Sequence, residues 1–413
     1  MWNRAAAGIT MTSVTTSRRS SRPATGPAPT GSPARSVEAP AGAGLLNWVE
    51  IDAAAIRHNL AAFRARVPAG TALGAVVKSN GYGHGMGEVA ALAAGAGADW
   101  LCVNNVDEGV VLRKLGHRQP VLVMGYIALD ALEPVVRYGL HPVVYNVETL
   151  RRLDELAVRA GGTVPVHVKV ETGTHRQGVP EDEVLGFAAT IRDARGLELE
   201  GVCTHFADIE DTTDHSYAES QIERFTRITA ALADAGTPAR VRHAACSAAA
   251  LLFTRTHLDL ARIGISLYGL WPSKETYVSC LDRGQPALEL RPALAWKTRI
   301  AQLRDVPEGS FVGYGRTYRT MRPSRIAVLP VGYHEGYDRS LSGVAHVLVA
   351  GRRARICGRV CMNMCMIDVT DIPGVGLEDE VVLLGGQGDE CISAEQMAAW
   401  CGTISYEVIS RIH

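Results

Sequence analysis

The chain has 413 residues, 47% hydrophobic and 21% charged, with a formal net charge of −1 at neutral pH. That length exceeds one ordinary globular unit, so two domains are expected, and the composition is that of a folded protein. A charge near zero excludes whole-surface attraction to nucleic acid or a membrane, and no run reaches the roughly 18 to 20 apolar residues of a membrane span. The nine cysteines form no compact disulfide pattern, which points to reduced thiols in a cytoplasmic protein. Cys361 and Cys365 lack the partners of a zinc site, so no metal is expected.

Residues 1–43 are rich in Ala, Pro, Ser, Thr, Gly and Arg and read as a disordered tail. No apolar stretch follows Arg18-Arg19, so a twin-arginine export signal is excluded, and Met11 is an alternative start. From Trp48 onward, apolar β runs alternate with amphipathic helical runs. The β runs are Val76-Val77, Trp100 to Val103, Pro120 to Met124, Pro142 to Tyr145, Val166 to Val170, Leu199 to Thr204, Ala239 to Ala244 and Leu260 to Ile265. Their number and spacing predict a (β/α)8 barrel over residues 44–275, with the first strand free to join a second domain. A doubly wound sheet is the rival, but no Gly-rich dinucleotide fingerprint follows an early strand. Beyond about Pro272 the helices disappear. Short runs at Leu290 to Val306, Ser324 to Pro330, Ala345 to Ala350, Arg353 to Ile356, Met364 to Val369 and Glu380 to Leu384 predict a second domain over 276–413. The fold class is therefore α/β: an N-terminal TIM-like barrel plus a C-terminal mainly-β domain.

The chemistry starts at AVVKSNGYGHG, residues 75–85. Lys78 follows an apolar strand, where barrel enzymes place reactive groups. Partial desolvation there lowers a lysine towards nucleophilic use, although a surface lysine on a loop fits the same position. Ser247, Gly264 and Ile265 end later strands and offer short donors of the kind that hold phosphate in barrels, or else ordinary turns. Arg262 lies within an apolar strand. Lys169 lies in another, where an unpaired ammonium is costly, and Arg176 offers a fork suited to a carboxylate. His205 and His243, each taken alone, read as core histidines.

These segments resemble, in order, the blocks of the alanine racemase family. Alongside 75–85 they are WVEIDAAAIRHNL (48–60), HVKVETGTHRQG (167–178), THFA (204–207), HAACS (243–247), ARIGISLYG (261–269), VGYGRTY (312–318), GRVCMNMCMIDVT (358–370) and SYEV (405–408). The resemblance implies pyridoxal 5'-phosphate held as an imine on Lys78. Its phosphate would lie on Tyr82, Ser247, Gly264, Ile265 and Tyr406, and its ring nitrogen against Arg262. It implies Lys78 and Tyr314 as opposed acid/base groups, with a relay from Tyr314 through His205 to Arg262 and with His243 bracing the arginine. A free tyrosine titrates near pH 10, so such a relay must supply roughly 4 kcal/mol of phenolate stabilisation.

The resemblance further implies an amino-acid substrate held by Arg176, with Met362, Tyr333 and Asn363 at its entrance, and Lys169 either carbamylated or paired with an acid such as Glu171. It implies a head-to-tail homodimer with composite active sites, each Tyr314 coming from the second subunit. Glu171, Thr174-His175 and Asn363 depart from the family pattern, so serine or a broader range of amino acids stands beside alanine as substrate. Two rival readings remain: a non-catalytic pyridoxal-phosphate-binding barrel, which lacks the β domain, and a barrel decarboxylase of basic amino acids. A decarboxylase favours an acidic partner where this chain has Arg262.

Overall fold

The computed structural model describes residues 9–11 and 44–412. The expected disordered tail lies outside the described residues except for Ile9–Met11, a short strand parallel to Asn47–Ile51. The chain divides into two compact units, one of residues 54–293 with 402–412, the other of residues up to 53 with 294–401. The sequence placed the division near 275. The structure moves it to 293 because helix Lys274–Asp282 and the segment after it pack with the barrel unit.

Eight parallel strands form the barrel unit: Ala72–Val76, Trp100–Val103, Val121–Val123, His141–Val144, Val164–Lys169, Leu197–Cys203, Val241–His243 and Leu260–Ile263. The eighth lies beside the first, and the others follow in chain order. At the remaining seam, Asp259 N–H donates to Arg242 C=O and Arg262 N–H to Ala245 C=O, each at 3.1 Å. The second, third and eighth strands are buried throughout, as expected for parallel strands covered by helices on one face and filled by side chains on the other. Val76, Trp100, Cys102, Leu122, Val143, Cys203 and Leu260 form one apolar cluster.

Local chemistry sets where the helices begin and which face they bury. Asn105 Oδ1 accepts the Glu108 N–H at 2.9 Å and Glu108 returns a carboxylate to Asn105 N–H, a capping box that starts helix Val106–Lys114. Helix Val147–Ala160 buries Thr149, Leu150, Leu153 and Ala157, one helical stripe.

The second unit is built on an antiparallel sheet. Asn47–Ile51 pairs with Leu294–Arg299, followed by Glu380–Gln387, His346–Val349, Arg352–Ile356, Cys365–Asp368, Ser324–Leu329 and Gln302–Val306. Trp48, Trp296, Tyr337, Val347, Ile356 and Ile367 fill its core. The predicted single run from Leu290 to Val306 is two strands, broken at Ile300 and Ala301. Helices do not end at Pro272. Besides Lys274–Asp282 there are Ala394–Cys401 and Ser405–Ser410, the last belonging to the barrel unit; all are too short to leave a clear sequence periodicity. Among the described residues no helix is long and apolar enough to cross a membrane, and no disulfide joins the nine cysteines.

Asn59 ties the barrel unit together. Fully buried on helix Ala53–Arg66, it donates to Leu267 C=O at 3.1 Å and Arg291 C=O at 2.9 Å and accepts Arg291 N–H at 2.8 Å. Asn59→Ala leaves three backbone groups without partners and is expected to cost about 2 to 4 kcal/mol, read from the urea midpoint; an unchanged midpoint would refute the strap.

Candidate active site

Lys78 follows the first strand at the barrel's C-terminal mouth, where loops from successive strands surround a cavity of about 1090 Å³. The turn that presents it is left-handed: Ser79, Asn80, Gly81 and Tyr82 have φ of 55°, 55°, 61° and 54°. Each non-glycine residue held there costs about 1 to 2 kcal/mol, so neighbours must enforce the turn. Glu108 does so, accepting Ser79 N–H at 2.6 Å with one carboxylate oxygen and Asn104 N–H at 2.7 Å with the other. Asn80 Oδ1 accepts Met86 N–H at 3.2 Å. Burial and the charge of Arg176 hold the Lys78 amine below its ordinary range, partly offset by Glu108.

Lys78, Tyr82, Lys169, Arg176, His205 and His243 line this cavity, as do Ser247, Arg262, Gly264, Ile265 and Tyr406. Ser247 Oγ accepts Gly264 N–H at 3.0 Å and Ser266 N–H at 3.4 Å. Ile265 starts a short helical turn, so its N–H is an orphan donor. Gly264 makes room: a Cβ there would stand 2.9 Å from the Tyr82 hydroxyl. Tyr82 and Tyr406 lie 6.1 Å apart between ring centres. Together these turns after the seventh and eighth strands form a cradle of short donors suited to an anion.

Arg262 shows its geometry through its bonds. Nη1 donates to His243 Nδ1 at 2.5 Å and His243 C=O at 3.0 Å; Nη2 donates to Thr204 C=O at 2.9 Å and Ala244 C=O at 3.1 Å. A guanidinium has five N–H groups. With four committed, Nε–H is the one left to meet an acceptor in the cavity. Among the described residues no hydrogen bond joins Arg262 to His205, whereas His243 braces the guanidinium, accepting from Arg262 Nη1 with both its ring nitrogen and its carbonyl. Burial and the charges of Arg262, Arg176, Lys169 and Lys78 push the His205 imidazole down to about 3, so it is neutral at physiological pH.

Lys169 donates to Gln177 Oε1 at 3.3 Å, and Gln177 in turn to the Tyr145 hydroxyl at 3.0 Å. The Lys169–Glu171 ion pair does not form. Glu171 instead accepts Gly173 N–H at 2.5 Å and Thr174 N–H at 2.6 Å, fixing the loop that carries Arg176. Burial lowers the Lys169 amine.

Tyr314, Tyr333, Met362 and Asn363 belong to the other unit, where they gather around a recess of about 450 Å³. Tyr314 stands on a tight turn between Phe311–Val312 and Tyr318–Arg319 and is 74% exposed. Asn363 donates to Glu335 at 2.7 Å. Sequence reasoning missed Glu108, Gln177 and Glu210. The Glu210 carboxyl accepts the Tyr406 hydroxyl at 2.9 and 3.0 Å inside the cavity and is raised by burial. Only Glu108 left a signal, as the acidic end of an Asn-x-x-Glu capping box.

A parallel barrel with a half-buried lysine and an anion cradle at its mouth, joined to an antiparallel β unit, defines a class of two-domain barrel proteins with their chemistry at the strand ends. Known proteins narrow it. The family model described as alanine racemase, N-terminal domain, matches residues 51–272, and the alanine racemase C-terminal domain matches 293–413. The chain is 42% identical to the alanine racemase of Desulfosudis oleivorans over 374 residues, covering 88% of this chain and 94% of the relative. A crystal structure of alanine racemase from Bacillus anthracis with bound L-Ala-P superposes with a TM-score of 0.82 at 36% identity, covering 89% of this chain and 93% of that one. The enzyme from Streptomyces lavendulae gives 0.82 at 32% identity, covering 89% and 94%. The chain belongs to the alanine racemase family.

The lowered amine of Lys78 sets a chemical expectation. A depressed pKa leaves more neutral amine at a given pH, so limited formaldehyde with cyanoborohydride near pH 7.5 should methylate Lys78 ahead of Lys114 and Lys274 in protein stripped of small molecules. Peptide mapping checks this; slower labelling at Lys78 than at both would contradict it.

Proposed function

We propose that the protein racemises alanine with pyridoxal 5'-phosphate as its cofactor. The observation that carries the reading is the convergence, in one cavity, of the Lys78 amine, the anion cradle and an Arg262 guanidinium with a single uncommitted N–H. The donor set fits the group: Ser247, Gly264, Ile265, Tyr82 and Tyr406 would hold its phosphate, in space that a side chain at position 264 would fill. Lys78 would hold its aldehyde carbon, and Arg262 would face its ring nitrogen. When bound, the cofactor supplies an electron sink that makes the substrate α-proton removable.

The rest falls to the chain. Lys78 Nζ, held below its ordinary pKa, takes or returns a proton on one face of the α-carbon. Tyr314, supplied by a second copy of the chain in a head-to-tail homodimer, does the same on the opposite face. Arg262 stays charged and gives up no proton, which keeps the ring nitrogen unprotonated and the sink weak. Return of a proton is then favoured over other fates. Arg176 binds the substrate carboxylate bidentately. Lys169 lies in a buried strand without an ion-pair partner among the described residues, and carbamylation of its lowered amine supplies an anion to orient Arg176.

Alanine is the substrate named for the relatives. Serine is the second reading, resting on Glu171 and Asn363, which differ from the family pattern near the Arg176 loop and the recess. The match of the C-terminal domain speaks against a barrel-only regulatory protein, and Arg262 speaks against a decarboxylase.

Mixing two inactive variants tests the composite site. In a Lys78→Ala/Tyr314→Phe heterodimer one of the two sites keeps both residues, so random exchange should restore about one quarter of wild-type sites; no restoration after proven exchange would place both residues in one subunit. Chiral assay should show alanine turned over faster than serine, and loss of yellow colour in Lys78→Ala; turnover of neither amino acid would sink the reading. For Lys169, labelled bicarbonate should give a carbamate carbon signal absent from Lys169→Met, and an identical spectrum in the two proteins would remove that anion.

A further inference from the structure

Behind Arg262, starting from His243 in the cavity wall, the barrel interior holds polar groups to which the proposed reaction assigns no proton transfer. His167 and His243 are fully buried, and Glu200 is nearly so. His243 Nε2 lies 2.8 Å from His167 Nδ1, and His167 Nε2 lies 3.1 Å from Glu200 Oε2. Glu200 also takes Arg240 Nη2 at 2.6 Å on its other oxygen and is bonded by His141 Nδ1. The Arg240 side chain is 68% exposed, so the series runs from the cavity wall to the surface.

The direction of this series is forced by donor arithmetic. Arg262 has no lone pair to offer, so His243 Nδ1 must accept. The proton of neutral His243 therefore sits on Nε2 and is donated to His167 Nδ1. His167 then carries its own proton on Nε2 and donates it to Glu200. Burial holds both imidazoles below their ordinary pKa, which keeps them neutral. Burial would raise Glu200, but hydrogen bonds from His141, His167 and Arg240 outweigh it and hold the carboxyl well below the usual range. The backbone is shaped around the contact: a Cβ at Gly201 would stand 2.1 Å from His167 Nδ1. Trp100 packs edge-on against both His141 and His167, at 5.1 and 5.4 Å between ring centres.

We propose that Glu200 is a positioning residue for Arg262, acting through His167 and His243 to lock both histidines in the tautomer that presents an acceptor to the guanidinium. Without a carboxylate at the far end, His167 can reverse, donating from Nδ1 to His243 Nε2. His243 would then carry its proton on Nδ1, facing an Arg262 N–H, and the arginine would lose its side-chain acceptor. Glu200 excludes that reversed chain. The same three residues, His141, His167 and Glu200, have atoms close enough to hold a metal ion. A metal would require His167 Nε2 to offer a lone pair, and the direction of the chain places a proton there.

The role toward the reaction rests on the function proposed above; the tautomer chain does not, so the two can fail separately. The test is histidine nitrogen NMR on the full-length protein loaded with pyridoxal phosphate. Wild-type His243 and His167 should each show a protonated Nε2 and an unprotonated Nδ1. A proton on Nδ1 of either, or a shift of the His141 and His167 signals with one equivalent of zinc, would overturn the proposal, and these wild-type spectra decide the direction whether or not any variant folds. Glu200→Leu should mix the tautomers of both histidines and lower kcat/KM for alanine roughly threefold to thirtyfold, the range of coupling through a packed network. Glu200→Gln keeps an acceptor oxygen and should restore single tautomers and most of the rate. Unmixed tautomers in Glu200→Leu with a lowered melting temperature would leave Glu200 a structural role alone, and Glu200→Gln behaving as Glu200→Leu would equally sink the mechanism. Absence of yellow colour with the tautomers as described would instead fault the cofactor reading.

Discussion

A permanently charged guanidinium buried on the last barrel strand is the constraint around which the rest of the barrel unit is arranged. Arg262 is only 8% exposed. A bare cation in that place is untenable, so the neighbouring chain must supply acceptors in fixed directions. Three of its four terminal bonds go to main-chain carbonyls of Thr204, His243 and Ala244, at the ends of the sixth and seventh strands. The barrel's hydrogen-bond register thus sets the arginine's orientation before any side chain is considered. The fourth bond, to His243, links that orientation to the buried pair of His167 and Glu200.

The same logic governs Lys78 from the opposite direction. Where Arg262 is satisfied until one donor remains, the lysine is left half-buried beside the charge of Arg176, with a left-handed turn behind it. The strain in that turn is held by a carboxylate from the next loop. Position and protonation are therefore set by different parts of the structure, the turn fixing one and the surrounding charges the other.

The barrel was legible because its strands are short apolar runs punctuated by glycines, and runs such as Val121–Val123 have few other ways to be buried. Lys78, Arg262 and the cradle were legible through family blocks, each local in sequence. What escaped is long in range. Glu200 and Arg240 have no motif, since each is a single charged residue in or beside a strand, and only the barrel's closure brings them to His167, whose block at 167–178 gave no hint of these partners. The ion pair between Lys169 and Glu171, the alternative to carbamylation, does not form for a local reason, because the carboxylate has closer backbone donors at residues 173 and 174. The boundary at 275 failed because a helix nine residues long carries too little periodicity to announce that it stays with the barrel. Tyr314 was readable as a residue, but its exposed setting on a glycine-flanked turn was not.

The return of residues 402–412 to the barrel unit has a consequence for how the protein is made. All eight barrel strands are synthesised before Leu294, yet Thr403, Ile404 and Tyr406, which line the barrel's cavity, emerge only after the whole intervening β unit. Vectorial folding from the N-terminus therefore yields an early barrel whose mouth lacks one wall. Completion of the cavity, on this ordering, becomes a late event in biogenesis, timed by the translation of a segment eleven residues long.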